Sequence, residues 1–208
     1  MTVQSGLRER KKQRTREAIA GAAHELFAER GYHATTLPDI AEAADVSTRT
    51  IFAYFPSKED ILFSEFAEMR EALARALAER PEGKDALETM RDFIVSSHKA
   101  EKSELDQRLH RCVTGDETLR SHLRARIAQL EELIAPAIAK DLGAPEDDFR
   151  PQVVAASLTA AFNLMLERDG GEAKPHSAEE LAAQIDPVIA FLRGGLGALK
   201  EPRPQRHR

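Results

Sequence analysis

The residue types predict an all-α protein. Alanine, leucine, glutamate and arginine dominate the 208 residues, apolar positions recur at three- and four-residue spacing, and no segment sustains the alternation of β-branched residues that strands need. A chain of this length builds its core without staples. Its single cysteine, Cys112, rules out an internal disulfide framework and suits a reducing cytosol. No run approaches the roughly 18 apolar residues of a spanning helix. The opening MTVQSGLRERKKQR lacks the apolar stretch of a secretory signal, so a cytoplasmic location with no membrane partner is expected.

The first helix is expected over about 14–30, with Ile19, Ala22, Ala23, Leu26 and Phe27 on one stripe and Gly31 as its left-handed stop. Thr36-Leu37-Pro38-Asp39 then reads as a capping box with proline in the first turn, opening a short helix to Ala44. Ser47 caps a third helix that ends near Phe55, because Pro56 disfavours helical geometry in the residue before it. Ser57 starts a fourth, whose apolar positions Ile61, Leu62, Phe66, Met69, Leu73 and Leu77 continue to Pro81, a rod about 33 Å long. Further helices are read near 84–99, 103–114, 117–142, 147–168 and 178–199. Gly83, Gly115, Gly143 and Gly170-Gly171 punctuate them, and Pro136 and Pro187 are expected to kink two of them.

The net charge of −5 argues, taken globally, against a nucleic-acid partner, but the charge is uneven. Residues 1–58 hold nine Lys/Arg against seven Asp/Glu, whereas the remainder is strongly acidic. Arg8, Arg10, Lys11, Lys12, Arg14 and Arg16 crowd the first 16 residues against Glu9 alone. A basic arm leading an acidic protein suits local contact with a polyanion, and equally a solvated tail.

Leu37 to Pro56 fits a helix-turn-helix. Two short helices that cross steeply need a small residue at their closest approach, and Ala41 is there. Asp45 takes the sharp turn and Val46 the crevice. Ile51, with Ile40, Ala44 and Phe55, returns the second helix to the core. The face left over is Thr48, Arg49 and Thr50, small donors and one arginine at a helix N-terminus, which suit a major groove. An ordinary helical hairpin would explain Ala41, Val46 and Ile51 without any DNA.

The run LFAERGYHATTLPDIAEAADVSTRTIFAYFPSKEDIL resembles the N-terminal domain of the TetR family of bacterial transcriptional regulators. The likeness is carried by Leu26-Phe27, Arg30-Gly31-Tyr32, Thr35-Thr36, Ile40-Ala41, Ala44, Val46-Ser47, Tyr54-Phe55 and Ser57-Lys58-Glu59, about a quarter of the chain. The resemblance implies a homodimeric repressor released from a palindromic double-stranded DNA operator by a small effector. Thr36 would cap its helix against a phosphate, Ser47, Thr48, Arg49, Thr50 and Tyr54 would face the groove, Lys58 would bind phosphate, and Lys12 and Arg14 of the arm would add phosphate or minor-groove contacts. Asp45 and Arg49 stand where glycine is common, and Phe52 where a tyrosine often reaches phosphate.

The division expected is a basic or disordered arm over 1–13, a helix-turn-helix DNA-binding domain over 14–58, a helical ligand-binding and dimerisation domain over 59–199, and a disordered tail over 200–208. The second domain shows no Walker loop, GxGxxG, HExxH or Glu-x-x-His pattern, so no enzyme chemistry, cofactor or metal is expected. His110 and Cys112, two apart on a helix, point in different directions and make a poor metal pair with His98 and His122. Pocket candidates are Phe66, Met69, Phe93, Ser97, His98, Leu109, Cys112, Ile127, Phe162 and Met165. With two tyrosines and no tryptophan, an aliphatic or acyl effector is favoured over an aromatic one. Ala156 and Ala160, with Ile185, Val188, Ile189 and Leu192, are the expected dimer contact. The rival readings are a helical binding or scaffold protein of the same fold without DNA binding, and an enzyme of unknown chemistry.

Overall fold

The computed structural model describes residues 3–97, 103–168 and 177–200, leaving aside the side chains of 3–5, 167–168 and 198–200. His98, Gly170, Gly171 and the tail beyond residue 200, all singled out above, lie outside the described residues. The order of helices is α1 (Val3–Arg30), α2 (Leu37–Ala43), α3 (Thr48–Tyr54), α4 (Lys58–Leu62), α5 (Ser64–Ala78), α6 (Ala86–Ser96), α7 (Glu104–Thr114), α8 (Glu117–Ala128), α9 (Glu131–Leu142), α10 (Arg150–Arg168) and α11 (Ala178–Lys200), with no strand among the described residues. None of these helices is long and apolar enough to cross a membrane.

The helices gather into two compact units. One holds α1 to α4, the start of α5, α7 and the start of α8; the other holds the rest, the chain passing between them within α5, between α6 and α7, and within α8. The first unit is thus larger than residues 14–58, because α7 packs along α1. Asp116, just after α7, also takes a 2.6 Å hydrogen bond from His33 Nε2.

In the first unit, α1 buries Ile19, Ala23, Leu26 and Phe27 on one stripe, and Gly31 stops it with φ of +86°. The helix begins at Val3 rather than at residue 14. Its extra turns are rich in strong helix formers and carry local bonds from Arg10 to the Gly6 carbonyl and from Thr15 to the Lys11 carbonyl. Ile40 and Ala41 of α2 meet Ile51 of α3 and Phe55, all buried, as the helix-turn-helix spacing requires. Asp45 takes the turn in left-handed geometry with φ of +52°. Each fully buried side chain of this size contributes about 1.5–3 kcal/mol.

The expected fourth helix is two helices. Phe63 leaves helical geometry at φ −99°, ψ 27°, and the carbonyls of Ile61 and Leu62 that the break releases are both taken by the buried His24 of α1, whose Nε2 donates to each at 3.1 Å. Since both acceptors are carbonyls, that nitrogen carries the proton. The expected 117–142 helix also divides. The amide of Leu130 bonds back to Ile127 in a tightened turn, and α9 then runs on through Pro136 to a left-handed stop at Gly143.

In the second unit α9 lies against α10, α6 against α11 and α9, and α10 against α11. Leu73, Met90, Ile127, Leu130, Ile134, Ile138, Val154 and Leu158 fill the space between them. Asp141 ties α9 to its neighbours by accepting from Arg80 and from the Ala86 amide.

Candidate nucleic-acid interface

Helix α3 is presented by its cap. Ser47 accepts from the Thr50 amide at 3.0 Å, and the two hydroxyls lie 2.7 Å apart, so both are tied to the start of the helix. That leaves Thr48, half-buried, and Arg49, exposed and making no hydrogen bond among the described residues, as the reach of this helix end. Tyr54 is half-buried at the other end, and Phe52 is 55% exposed, a large hydrophobic side chain open to solvent.

Thr36 caps α2 in a full capping box. Its hydroxyl and backbone amide both donate to Asp39 Oδ2, at 2.6 and 2.7 Å, and the Asp39 amide returns a bond to Thr36. Those two donors from Thr36 hold the Asp39 carboxyl below its ordinary range. The Thr36 proton is therefore committed to a carboxylate, which the expected phosphate contact did not allow for.

Lys58 is also committed. Its ammonium donates to the carbonyls of Tyr32 and Thr35, both at 2.9 Å, and sits 4.1 Å from the centre of the Tyr32 ring. The expectation of a phosphate ligand gives way, for two of its three N–H donors, to a clamp on the turn between α1 and α2. The physical reason is local: with α1 ended at Gly31, the carbonyls of that turn lack helical partners, and Lys58 supplies them. Beside it, burial and then the Glu59 carboxylate push the Tyr32 phenol well above its ordinary range. Burial also pushes the Glu59 carboxyl up. The Tyr32 hydroxyl, its own amide, Ser57 and His122 outweigh that and hold it below the usual range.

The arm is part of α1. Lys12 and Arg14 are exposed, and an open cleft of about 600 Å³ lies between this stretch and the end of α3, lined by Arg10, Lys12, Gln13, Arg16, Ala53 and Tyr54 with Glu9. Arg16 closes it by donating to the Tyr54 carbonyl at 3.1 Å and lying 4.3 Å over the Phe55 ring. Sequence reasoning placed Arg16 in the arm but missed its role as the tie to α3. The signal, a cation four residues after Lys12 with an aromatic pair downstream, was present but unspecific.

In the second unit a cavity of about 50 Å³ is lined by Met69 and Leu73 of α5, Met90, Phe93 and Ile94 of α6, Ile127, Leu130 and Ile134, and Leu158, Thr159 and Phe162 of α10. Met69, Phe93, Ile127 and Phe162 are where the sequence placed them. Phe66, Leu109 and Cys112 do not line this cavity: all three belong to the first unit, Leu109 and Cys112 on the α7 and α1 side of the fold, where α7 packs on α1. Ser97 is exposed at the end of α6, and Met165 is half-buried on α10 but does not line the cavity.

The expected dimer face is only partly free. Ile185, Ile189 and Leu192 are 3–6% exposed within one protomer, because that stripe of α11 faces its own unit, where α11 packs on α6; Val188 is half-buried. Ala156 and Ala160 are exposed, on one α10 stripe with Val153 and with Leu164, which is 60% exposed; Phe191 on α11 is 78% exposed.

Comparison with known proteins places these units. Residues 19–64 match the family described as bacterial regulatory proteins, tetR family, and residues 84–197 match the MftR C-terminal domain. The HTH-type transcriptional regulator TcmR of Streptomyces glaucescens is 35% identical over 202 residues, covering 93% of this chain and 89% of its own. Among solved structures, Thermus thermophilus FadR, a TetR-family transcriptional repressor in complex with lauroyl-CoA, superposes with TM-score 0.54 at 25% identity over 93% of this chain and 98% of its own. Salmonella enterica GusR shares the fold at TM-score 0.58 and 21% identity, over 88% and 95% of the two chains.

Proposed function

Because this chain belongs to the TetR family of bacterial regulatory proteins, we propose that it acts in the cytosol as a homodimeric repressor, released from a palindromic operator when a small effector with an apolar body enters the second unit. One observation carries the DNA reading. The buried Ile40, Ala41 and Ile51 hold α3 so that Arg49 stands exposed at its capped N-terminal end, where a guanidinium can pair with guanine in the major groove. Thr48, Tyr54, Lys12 and Arg14 supply flanking contacts, while Thr36, Ser47 and Lys58 chiefly position the helices that make them. The effector reading rests on the apolar cavity, and TetR-family FadR holds its lauroyl-CoA on the same fold.

The dimer, in this reading, forms through the exposed stripe of α10, Val153, Ala156, Ala160 and Leu164, together with Phe191 of α11. Release follows from differential binding. Met69 and Leu73 of α5 and Ile127 of α8 line the cavity, and both helices begin in the DNA-binding unit. An effector that favours shifted α5 and α8 therefore disfavours the roughly 34 Å spacing of recognition helices that consecutive major grooves require. Binding of the full-length protein to DNA flanking its own gene, followed by mobility shift, tests the function. A salt-sensitive, sequence-specific complex is expected; no preference over random DNA would favour a scaffold protein of the same fold.

A further inference from the structure

We propose that Phe52 is a specificity residue of the DNA interface, its phenyl ring meeting the C5-methyl group of a thymine in the major groove; this rests on reading α3 as the helix that enters that groove. Within α3, Arg49, Phe52 and Ala53 are exposed, Thr48, Thr50 and Tyr54 are half-buried, and Ile51 is buried. With about 3.6 residues per turn, the three exposed positions share one face, Arg49 in its middle, Ala53 on one flank and Phe52 on the other. The Ala53 flank opens on the cleft lined by Arg10, Lys12 and Arg16, cations that suit a phosphate backbone. Phe52 does not line that cleft. The outward face of α3 thus carries one cation and, on the side away from the cationic cleft, one large apolar ring.

A phenyl ring in that place has few partners. It has no O–H with which to hold a phosphate, as a tyrosine would, and folding leaves more than half of its surface open for a partner to cover. In the major groove, guanine, adenine and cytosine present ring nitrogen, carbonyl and amino groups, and a ring laid on these would desolvate them without replacing the lost hydrogen bonds. Thymine adds a methyl group there, and covering it buries apolar surface on both sides. Ala53, the other apolar side chain of the face, ends at Cβ and reaches less far. Along the helix Arg49 and Phe52 differ by about 4.5 Å of rise, against about 3.4 Å between base pairs, so the thymine should lie within about two base pairs of the guanine that Arg49 reads.

Titration of the full-length protein against operator duplexes from the DNA flanking its own gene, each with one thymine of one half-site replaced by deoxyuridine, tests this, since deoxyuridine lacks only that methyl group. The unaltered protein is expected to bind about 4-fold more weakly when one particular thymine is replaced, the worth of one buried methyl group. Phe52→Ala, a change at an exposed position, should bind the thymine and deoxyuridine duplexes alike there while keeping the guanine preference that Arg49 supplies. Phe52→Leu should retain part of the difference. Indifference of the unaltered protein to every replacement, or a loss that persists undiminished in Phe52→Ala, would overturn the assignment and leave α3 as the reading helix. Phe52→Tyr binding all sequences more tightly in equal measure would put the ring at the backbone and overturn it too. Absence of any sequence preference in the unaltered protein would overturn the reading of α3 and this inference with it.

Discussion

Arg16 of the first helix donates to the carbonyl of Tyr54 at the end of the recognition helix, 3.1 Å away, while its guanidinium lies over the neighbouring Phe55. The basic stretch of α1 is thereby tied to the end of α3 at Arg16.

Removing that tie should cost stability before it costs chemistry. Arg16→Ala is expected to lower unfolding stability by about 1–3 kcal/mol, from one charge-assisted hydrogen bond and one cation–π contact. Operator affinity should fall with base preference unchanged, which thermal unfolding and titration against operator variants would show together.

Lys58→Ala should behave as a structural lesion. Two bonds from an ammonium to the carbonyls of Tyr32 and Thr35 are lost, so a destabilisation of about 2 kcal/mol is expected. The slope of affinity against salt should change little, whereas a residue bound chiefly to phosphate would lower it by about one.

Acid should loosen the first unit. The His33 imidazole, with the amides of Leu119 and Thr118, holds the Asp116 carboxyl below its ordinary range. A depressed carboxyl contributes stability above its unfolded value, near 3.9, and loses it as pH falls through the lower folded value. Asp116→Asn should therefore be less stable than the unaltered protein at pH 6, with the gap closing toward pH 2; a gap constant across a circular-dichroism pH series would contradict this.

A carboxylate on the open α10 stripe should separate the dimer while leaving the protomer folded. Leu164→Glu or Ala160→Glu is expected to sediment as a folded monomer, since burying an unpaired charge costs several kcal/mol. Ile189→Glu, placed inside the protomer, should unfold it instead. An intact Leu164→Glu dimer would move the interface.

The helix-turn-helix was legible because each of its parts is a local rule: a cap at Ser47, a small residue at Ala41, a left-handed turn at Asp45, a proline after Phe55. What sequence could not reach was non-local. The break at Phe63 depends on His24, 37 residues from Ile61 in the chain, and nothing near Phe63 announces it. The placing of Cys112 and Leu109 depends on α7 returning to α1, and apolar spacing says that a residue is buried without saying against what. The same ambiguity put Ile185, Ile189 and Leu192 in the dimer contact: a buried stripe reads alike whether its partner is the same protomer or another.

In the proposed function, α3 reads DNA sequence through Arg49. Once a specific operator is in hand, the direct measurement is the affinity of the unaltered protein and of Arg49→Ala for a set of duplexes carrying each base at every position of one half-site. Arg49→Ala should lose about 1–3 kcal/mol of preference at one position and keep its preferences elsewhere. A variant whose preference is unchanged at every position would contradict the claim.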